Sequence, residues 1–221
     1  MTTAPGVEAG AAPEAAAGVE AGTATQPAQG TGSVVGTGSV APRRVAPGGT
    51  GARALRDVLG RYATGVTVVT CAGGPQHAPA GVTVNSFTSV SLTPPLILWC
   101  LALSSRSRSA FTTAEYFAVN VLAADQRPLA ARFTAPGDRF RDLVTRPGPH
   151  GEPLLPGTAA LLCCRRHDVV PAGDHLLILG TVEHHSRTTS RTLLFADGGY
   201  HEGPAPMPRA DQLAGGGGQA R

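Results

Sequence analysis

Residues 81–96, GVTVNSFTSVSLTPPL, decide the fold of this chain. On a β-strand the even-numbered side chains from Val82 to Thr88 point to one face and the odd-numbered ones from Thr83 to Ser89 to the other. Neither face is uniformly apolar, because hydroxyl and amide groups occur on both. A buried polar group without a partner costs about 1–3 kcal/mol. The strand is therefore expected either to meet a ligand or to lie half-exposed to water.

In the rest of the chain, patterns typical of β-strands are more frequent than patterns typical of helices. We predict strands over 66–71, 80–87, 89–92, 96–103, 117–122, 159–168, 176–184, 193–195 and 199–201, and short helices over 55–62, 109–115 and 126–133. The run 96–103 is continuously apolar, so we expect a buried strand there. Strands and helices do not alternate regularly, which argues against a doubly wound sheet. The pattern favours a mainly β fold: a closed or nearly closed antiparallel barrel with peripheral α-helices.

Length and composition set the limits of the folded part. The 221 residues are 42% hydrophobic and carry a net charge of +3, which suits one domain of ordinary size. We predict a disordered Ala/Gly/Pro-rich tail over 1–51, a domain over 52–202 and a second disordered tail over 203–221. The basic residues are scattered arginines, which speaks against a nucleic-acid surface. No apolar run approaches the roughly 20 residues of a spanning helix, so a membrane location is not expected.

Four cysteines give no sign of a metal centre or a redox pair. Cys71, Cys100, Cys163 and Cys164 lack CxxC spacing, and we expect reduced, buried thiols. His184 and His185 are adjacent on a strand and so point to opposite faces. No metal site, GxSxG elbow or GxGxxG fingerprint is predicted.

A loop rich in arginine and serine follows the apolar strand. It comprises Ser104, Ser105, Arg106, Ser107 and Arg108, directly before a predicted helix. Guanidinium groups clamp phosphate with two donors, and backbone N–H groups at a helix start add more. The alternative is a solvated loop whose last serine caps the helix.

A histidine at the start of a late strand is the third candidate. His175 follows Gly173 and Asp174 and precedes the strand at 176. An adjacent carboxylate can orient an imidazole and tune its charge. A turn histidine without a function is the alternative.

Several of these motifs together resemble the flavin reductase-like family, the small reductase components of two-component flavin-dependent monooxygenases. They are ATGVTVVT (63–70), GVTVNSF (81–87), SVSL with PPL (89–96), FAVNVL (117–122), Arg139-Phe140 and Gly173-Asp174-His175. They occur in the same order as in the family and cover the whole predicted domain, 52–202.

The resemblance implies a Greek-key-like split β-barrel, a homodimer, and FMN or FAD bound beside the barrel. Thr83, Val84, Asn85 and Ser86 would meet the isoalloxazine edge, with Ser89 a further flavin contact. Ser104, Ser105, Arg106, Ser107 and Arg108 would hold the ribityl phosphate, and the catalytic His175 would lie near the nicotinamide. Relatives often carry Lys or Thr in the phosphate loop where this chain has Arg and Ser.

The implied activity is hydride transfer from NADH or NADPH to FMN or FAD, with the protein supplying proximity and polarity. Reduced flavin would diffuse to a partner monooxygenase, and the protein would be cytoplasmic. Two alternatives stay open: a flavin carrier of the same barrel without activity, and a pyridoxamine-phosphate-oxidase-like barrel.

Overall fold

The computed structural model describes residues 51–74 and 78–207. The two predicted tails lie outside these residues, except for their inner ends. Gly203 is buried, and its N–H donates to the Thr192 carbonyl at 2.8 Å, so ordered structure continues through Gly203. No helix in the described ranges has the length and apolar character that crossing a membrane requires.

Three helices and twelve strands form the domain. In chain order they are α1 (Ala52–Leu59), β1 (Thr64–Gly65), β2 (Thr67–Cys71), β3 (Ala80–Val84), β4 (Thr88–Leu92), β5 (Pro95–Ala102), α2 (Arg108–Thr113), β6 (Tyr116–Val121), α3 (Arg127–Thr134), β7 (Arg146–Pro147), β8 (Pro153–Leu154), β9 (Ala160–Ala172), β10 (His175–Arg187), β11 (Leu193–Ala196) and β12 (Gly199–Glu202). Every predicted helix and strand is present within a few residues of its predicted bounds, but the strand predicted over 80–87 already ends at Val84. The short strand β1 and the β7–β8 ribbon were not predicted.

Seven of the strands form one antiparallel sheet in the order β3-β2-β6-β9-β10-β5-β4. A smaller sheet, β1-β11-β12, packs beside it. β9 and β10 form a long hairpin whose turn lies next to the end of β5, because His175 pairs with both Ala172 and Ala102. This register brings the histidine beside the segment that follows β5.

The seam of the barrel lies within the stretch that was predicted to be extended over 80–87. The structure ends β3 at Val84 and begins β4 at Thr88, and these two strands occupy opposite ends of the seven-stranded sheet. Residues 85–87 cross between them. Ser86 joins the ends: its Oγ accepts a hydrogen bond from the Cys100 N–H at 2.9 Å and donates to the Cys100 carbonyl at 3.4 Å.

The barrel interior is apolar and aromatic. Trp99 packs edge-on against Phe111 and Phe117, with ring centroids 5.0 and 5.8 Å away. Ile97, Trp99 and Leu101 of β5 are buried, whereas the intervening side chains are only half-buried. The prediction that this strand is buried therefore holds for its inner side only, because no other part of the described chain covers its outer side.

That outer side belongs to a half-exposed, largely apolar surface that we call the outer sheet face. Cross-strand partners share a face of a sheet, and Leu177 pairs with Cys100 and with Val170. The outer sheet face consists of Leu96, Leu98, Cys100 and Ala102 of β5, His175, Leu177 and Leu179 of β10, and Val170 of β9.

A second apolar core lies under α3. Phe133 of α3 stacks edge-on against Phe140 at 5.2 Å. Gly81 lies against the same ring: a Cβ there would come within 2.3 Å of Phe133 Cε1, so only glycine fits. The Thr83 hydroxyl donates to the Ala130 carbonyl at 2.7 Å. These contacts fix the beginning of β3 against α3.

Helix α1 has the predicted apolar spacing, yet none of its residues is buried. Val58 and Leu59 are 68% and 62% exposed. Among the described residues nothing covers this side of the helix.

Candidate functional site

A cavity of about 320 Å³ lies at the end of the barrel where β3 begins. We call it the loop cavity. Three segments line it: residues 78–81 at the start of β3, the arginine-serine loop (104–108) with the first turn of α2, and residues 137–140 after α3. The structure thus brings the arginine-serine loop together with parts of two motifs that carried the family resemblance, Gly81 and Arg139-Phe140.

Within the arginine-serine loop, Arg106 and Ser107 line the cavity. The other three predicted phosphate contacts do not. The Ser105 hydroxyl accepts from the Ser107 N–H at 3.3 Å, which helps to hold the loop's shape. Arg108 donates to the Leu103 carbonyl at 3.0 Å and thus points back to the end of β5, while Ser104 is exposed.

Arg139 also lines the cavity, although no role for it was predicted. Its guanidinium donates to the Gly81 carbonyl at 2.7 Å and lies 3.4 Å from the Ser107 hydroxyl. Arg139-Phe140 had been recognised only as part of the resemblance. Its place in the cavity depends on how residues 135–140 return toward β3, which no spacing in the sequence reveals.

Three of the flavin contacts predicted within residues 81–89 have side chains that are buried or hydrogen-bonded within the fold. Thr83 is 2% exposed and is hydrogen-bonded to α3, and Val84 is 6% exposed and belongs to the barrel core. The Ser86 hydroxyl is bonded to the backbone of Cys100. The alternating pattern predicts a strand that either meets a ligand or lies half-exposed, and the resemblance implies the ligand; in the structure β3 is buried on both of its faces.

Asn85 and Ser89 differ from these three residues. Asn85 is half-buried at the seam, and its side-chain amide has no hydrogen-bond partner among the described residues. A half-buried amide without a partner is suited to a ligand, since desolvating it costs free energy unless a bond forms. Ser89 is exposed on the edge strand β4.

His175 has the carboxylate neighbour that the sequence predicted. Its Nδ1 lies 2.6 Å from Asp174 Oδ1, and its side chain is 21% exposed whereas that of Asp174 is 94% exposed. The hydrogen bond with His175 lowers the pKa of the Asp174 carboxyl. The Asp174 carbonyl accepts from the Leu103 N–H at 2.9 Å, so the turn is tied directly to the start of the arginine-serine loop.

All four cysteines are free thiols, as the sequence predicted, and three of them are buried. Burial raises the pKa of both Cys163 and Cys164 to about 12, and the carboxylate of Glu152 adds to the effect at Cys163. These thiols are therefore neutral at physiological pH. Within residues 51–74 and 78–207, no group of three His, Cys, Asp or Glu side chains is placed to hold a metal ion.

The donor set fits a phosphorylated, ring-bearing ligand. Two arginines and two serines line a cavity whose volume is at the lower end of small-ligand sites, about 300–1,000 Å³. Guanidinium and hydroxyl groups are the donors that proteins use for phosphate. The cavity suits the phosphate end of such a ligand, while Asn85 offers an amide to its ring.

Fold and site together define a class: an antiparallel barrel, open at its seam, with an arginine- and serine-lined cavity at one end. A family model described as "Flavin reductase like domain" matches residues 59–204. The chain therefore belongs to the flavin reductase-like family, and the resemblance read from its motifs is confirmed.

Individual relatives agree with this assignment. The chain is 47% identical over 154 residues to the FMN reductase (NADH) SmoA of Agrobacterium fabrum, covering 70% of this chain and 87% of that protein. It is 36% identical over 186 residues to the reductase subunit HsaB of a flavin-dependent monooxygenase from Rhodococcus jostii, covering 81% and 92%.

The structural comparison gives the same result. The NADH:FAD oxidoreductase SgcE6 of Streptomyces globisporus, solved in complex with NAD and FAD fragments, superposes with a TM-score of 0.63 at 39% identity. The match covers 71% of this chain and 93% of that one. The predicted fold class, a mainly β split barrel with peripheral helices, is confirmed.

Proposed function

We propose that this chain is an NADH-dependent flavin reductase that reduces FMN or FAD and supplies reduced flavin to a partner monooxygenase. The observation that carries the proposal is that the arginine-serine loop, the start of β3 and Arg139 line one cavity in a domain of the flavin reductase-like family. The named activities of SmoA, HsaB and SgcE6 support it over a carrier without activity.

In this proposal the arginine-serine loop binds the flavin phosphate through Arg106 and Ser107, which line the cavity. The Asn85 amide hydrogen-bonds the polar edge of the ring, and the exposed Ser89 is a further contact. Thr83, Val84 and Ser86 support the site from within the barrel and its seam, because their side chains are buried or already bonded.

Bound flavin supplies the hydride acceptor. The protein's part is to hold the two reactants in contact and to place polar groups where charge develops. His175 lies on the outer sheet face, at the end next to the arginine-serine loop. There it positions the nicotinamide, and the hydrogen bond to Asp174 fixes the direction of the imidazole ring. We assign it no proton transfer.

The outer sheet face also supports a homodimer. It is apolar, half-exposed and continuous with His175, and Val170 within it is 40% exposed. A second copy of the chain packed against the leucine, cysteine and valine side chains of this face would remove them from water. We further propose a cytoplasmic location, because NADH and a partner oxygenase that receives reduced flavin by diffusion are available there.

A steady-state assay that crosses FMN, FAD and riboflavin with NADH and NADPH tests the proposal. We expect loss of nicotinamide absorbance at 340 nm without any amine substrate, faster with NADH than with NADPH. Oxidation no faster than the uncatalysed rate would overturn the proposal and leave the carrier. A requirement for a pyridoxamine substrate would instead indicate the oxidase-like alternative.

A further inference from the structure

We infer that Arg139 is a positioning residue that holds the arginine-serine loop against the start of β3 and thereby sets the affinity of the site for the flavin phosphate. This inference rests on the proposed function, since it concerns the phosphate end of the same site. It gives a role to a residue that touches both walls of the loop cavity.

One guanidinium connects three segments that are distant in sequence. Its Nη1 donates to the Gly81 carbonyl at 2.7 Å and lies 3.4 Å from Ser107 Oγ, and its Nε donates to the Ala135 carbonyl at 2.8 Å. β3, the arginine-serine loop and the end of α3 therefore meet at a single side chain. The planar, rigid fork of arginine allows this, whereas lysine offers only one nitrogen.

Arg139 is itself held in place by α3. Arg132 donates from Nε to the Arg139 carbonyl at 2.7 Å and also hydrogen-bonds the Arg141 carbonyl. The edge-on contact of Phe133 with Phe140 anchors the neighbouring residue. Because the backbone at residue 139 is fixed to a packed helix, the guanidinium provides a fixed reference for the loop at Ser107.

The effect should fall on the phosphate rather than on the ring. Arg139, Arg106 and Ser107 line the loop cavity, whereas Asn85 and His175 do not. Riboflavin has the same ring as FMN and lacks the phosphate. A residue that acts on the phosphate subsite must therefore change FMN binding and leave riboflavin binding almost unchanged, while a residue that only stabilises the fold changes both.

The test compares dissociation constants of FMN and riboflavin, measured by quenching of flavin fluorescence, for the wild type, Arg139→Met and the control Arg141→Met. Arg141 is in the same loop, and its side chain is 80% exposed. For Arg139→Met we expect FMN to bind about 10- to 100-fold more weakly, the range of a hydrogen bond to a charged group, and riboflavin to change by less than about twofold. Arg141→Met should match the wild type. Equal weakening of both flavins, or no change in either, would overturn the inference.

A second arm tests whether Arg139 acts through the loop, and it does not depend on Arg139→Met folding. Ser107→Ala removes the hydroxyl that Arg139 contacts in a half-buried position. We expect Ser107→Ala also to weaken the binding of FMN and not that of riboflavin. In the Arg139→Met/Ser107→Ala double variant, the loss of FMN binding free energy should be smaller than the sum of the losses in the two single variants. Unchanged FMN binding in Ser107→Ala, or additive losses, would overturn the positioning role.

Failure of this inference can be told apart from failure of the proposed function. A wild type that oxidises no NADH with any flavin contradicts the proposed function. An active wild type in which Arg139→Met keeps its preference between FMN and riboflavin contradicts only the role of Arg139.

Discussion

The hydroxyl of Ser86 takes the place of a strand neighbour for Cys100, bonding both its N–H and its carbonyl across the seam of the barrel. We expect Ser86→Ala to lower the free energy of unfolding by about 1–3 kcal/mol, because the N–H of Cys100 loses its partner. Urea unfolding followed by tryptophan fluorescence measures this. Ser190→Ala, at an exposed serine, should change stability by less than about 0.5 kcal/mol. Equal stabilities of the two variants would show that this bond does not close the seam.

Gly180 of β10 has no room for a side chain. A Cβ there would lie 2.5 Å from Phe117 Cζ and 3.1 Å from Cys164 Cβ. Gly180→Ala should therefore cost about 1–3 kcal/mol through overpacking. Gly65→Ala is the matched control, since nothing lies within 4 Å of its added Cβ. Thermal unfolding of both variants checks the prediction, which fails if Gly180→Ala is as stable as Gly65→Ala.

His175→Ala should lower kcat about 10- to 100-fold, because the nicotinamide is no longer held in position against the flavin. The dissociation constant of FMN should stay unchanged. His185→Ala, an exposed histidine on the same strand, should keep wild-type kcat. Stopped-flow measurement of flavin reduction under anaerobic conditions gives the rate of the hydride step. A loss of FMN affinity with normal kcat would place His175 against the flavin instead.

The free energy of unfolding should fall at alkaline pH because Cys163 and Cys164 are buried, free thiols. Burial raises the pKa of Cys163 and Cys164 to about 12, against about 8.5 in an unfolded chain. The folded state keeps these protons longer, so their contribution is complete below about pH 8.5 and is lost as the pH rises toward 12.

The measurement is the urea midpoint between pH 8 and pH 10.5. We expect it to fall in the wild type and in Cys100→Ala, and to fall less steeply in the Cys163→Ala/Cys164→Ala double variant. Identical slopes in all three proteins would refute the assignment.

In the proposed homodimer, whose interface is the outer sheet face, a charge on that face should prevent association. A buried charge without a partner costs several kcal/mol, so Val170→Asp should raise the dissociation constant of the dimer by about 100-fold or more. Val144→Asp, at a side chain that is 81% exposed, is the matched control. Multi-angle light scattering distinguishes the two states, and a Val170→Asp protein that stays dimeric would move the interface elsewhere.

The strands could be predicted from the sequence because each is delimited by turn residues and alternating or continuous apolar runs. The family could be recognised because its motifs keep their order along the chain. What local patterns could not give was the path of the chain at the seam: residues 81–89 look like one strand, yet Val84 ends one edge of the sheet and Thr88 begins the other. Consequently the hydroxyls of Thr83 and Ser86 were assigned to a ligand although tertiary contacts use them. Arg139 was missed for a related reason, because its partners are 58 and 32 residues away.

Strand β5 separates two environments with a single layer of backbone. Trp99 fills the interior, and the residues on either side of it, Leu98 and Cys100, look outward toward the surface that bears His175. No other layer of atoms separates the indole from the surface that bears His175. Under the proposed function, a substitution at Trp99 should therefore disturb the position of the nicotinamide as well as the stability of the barrel.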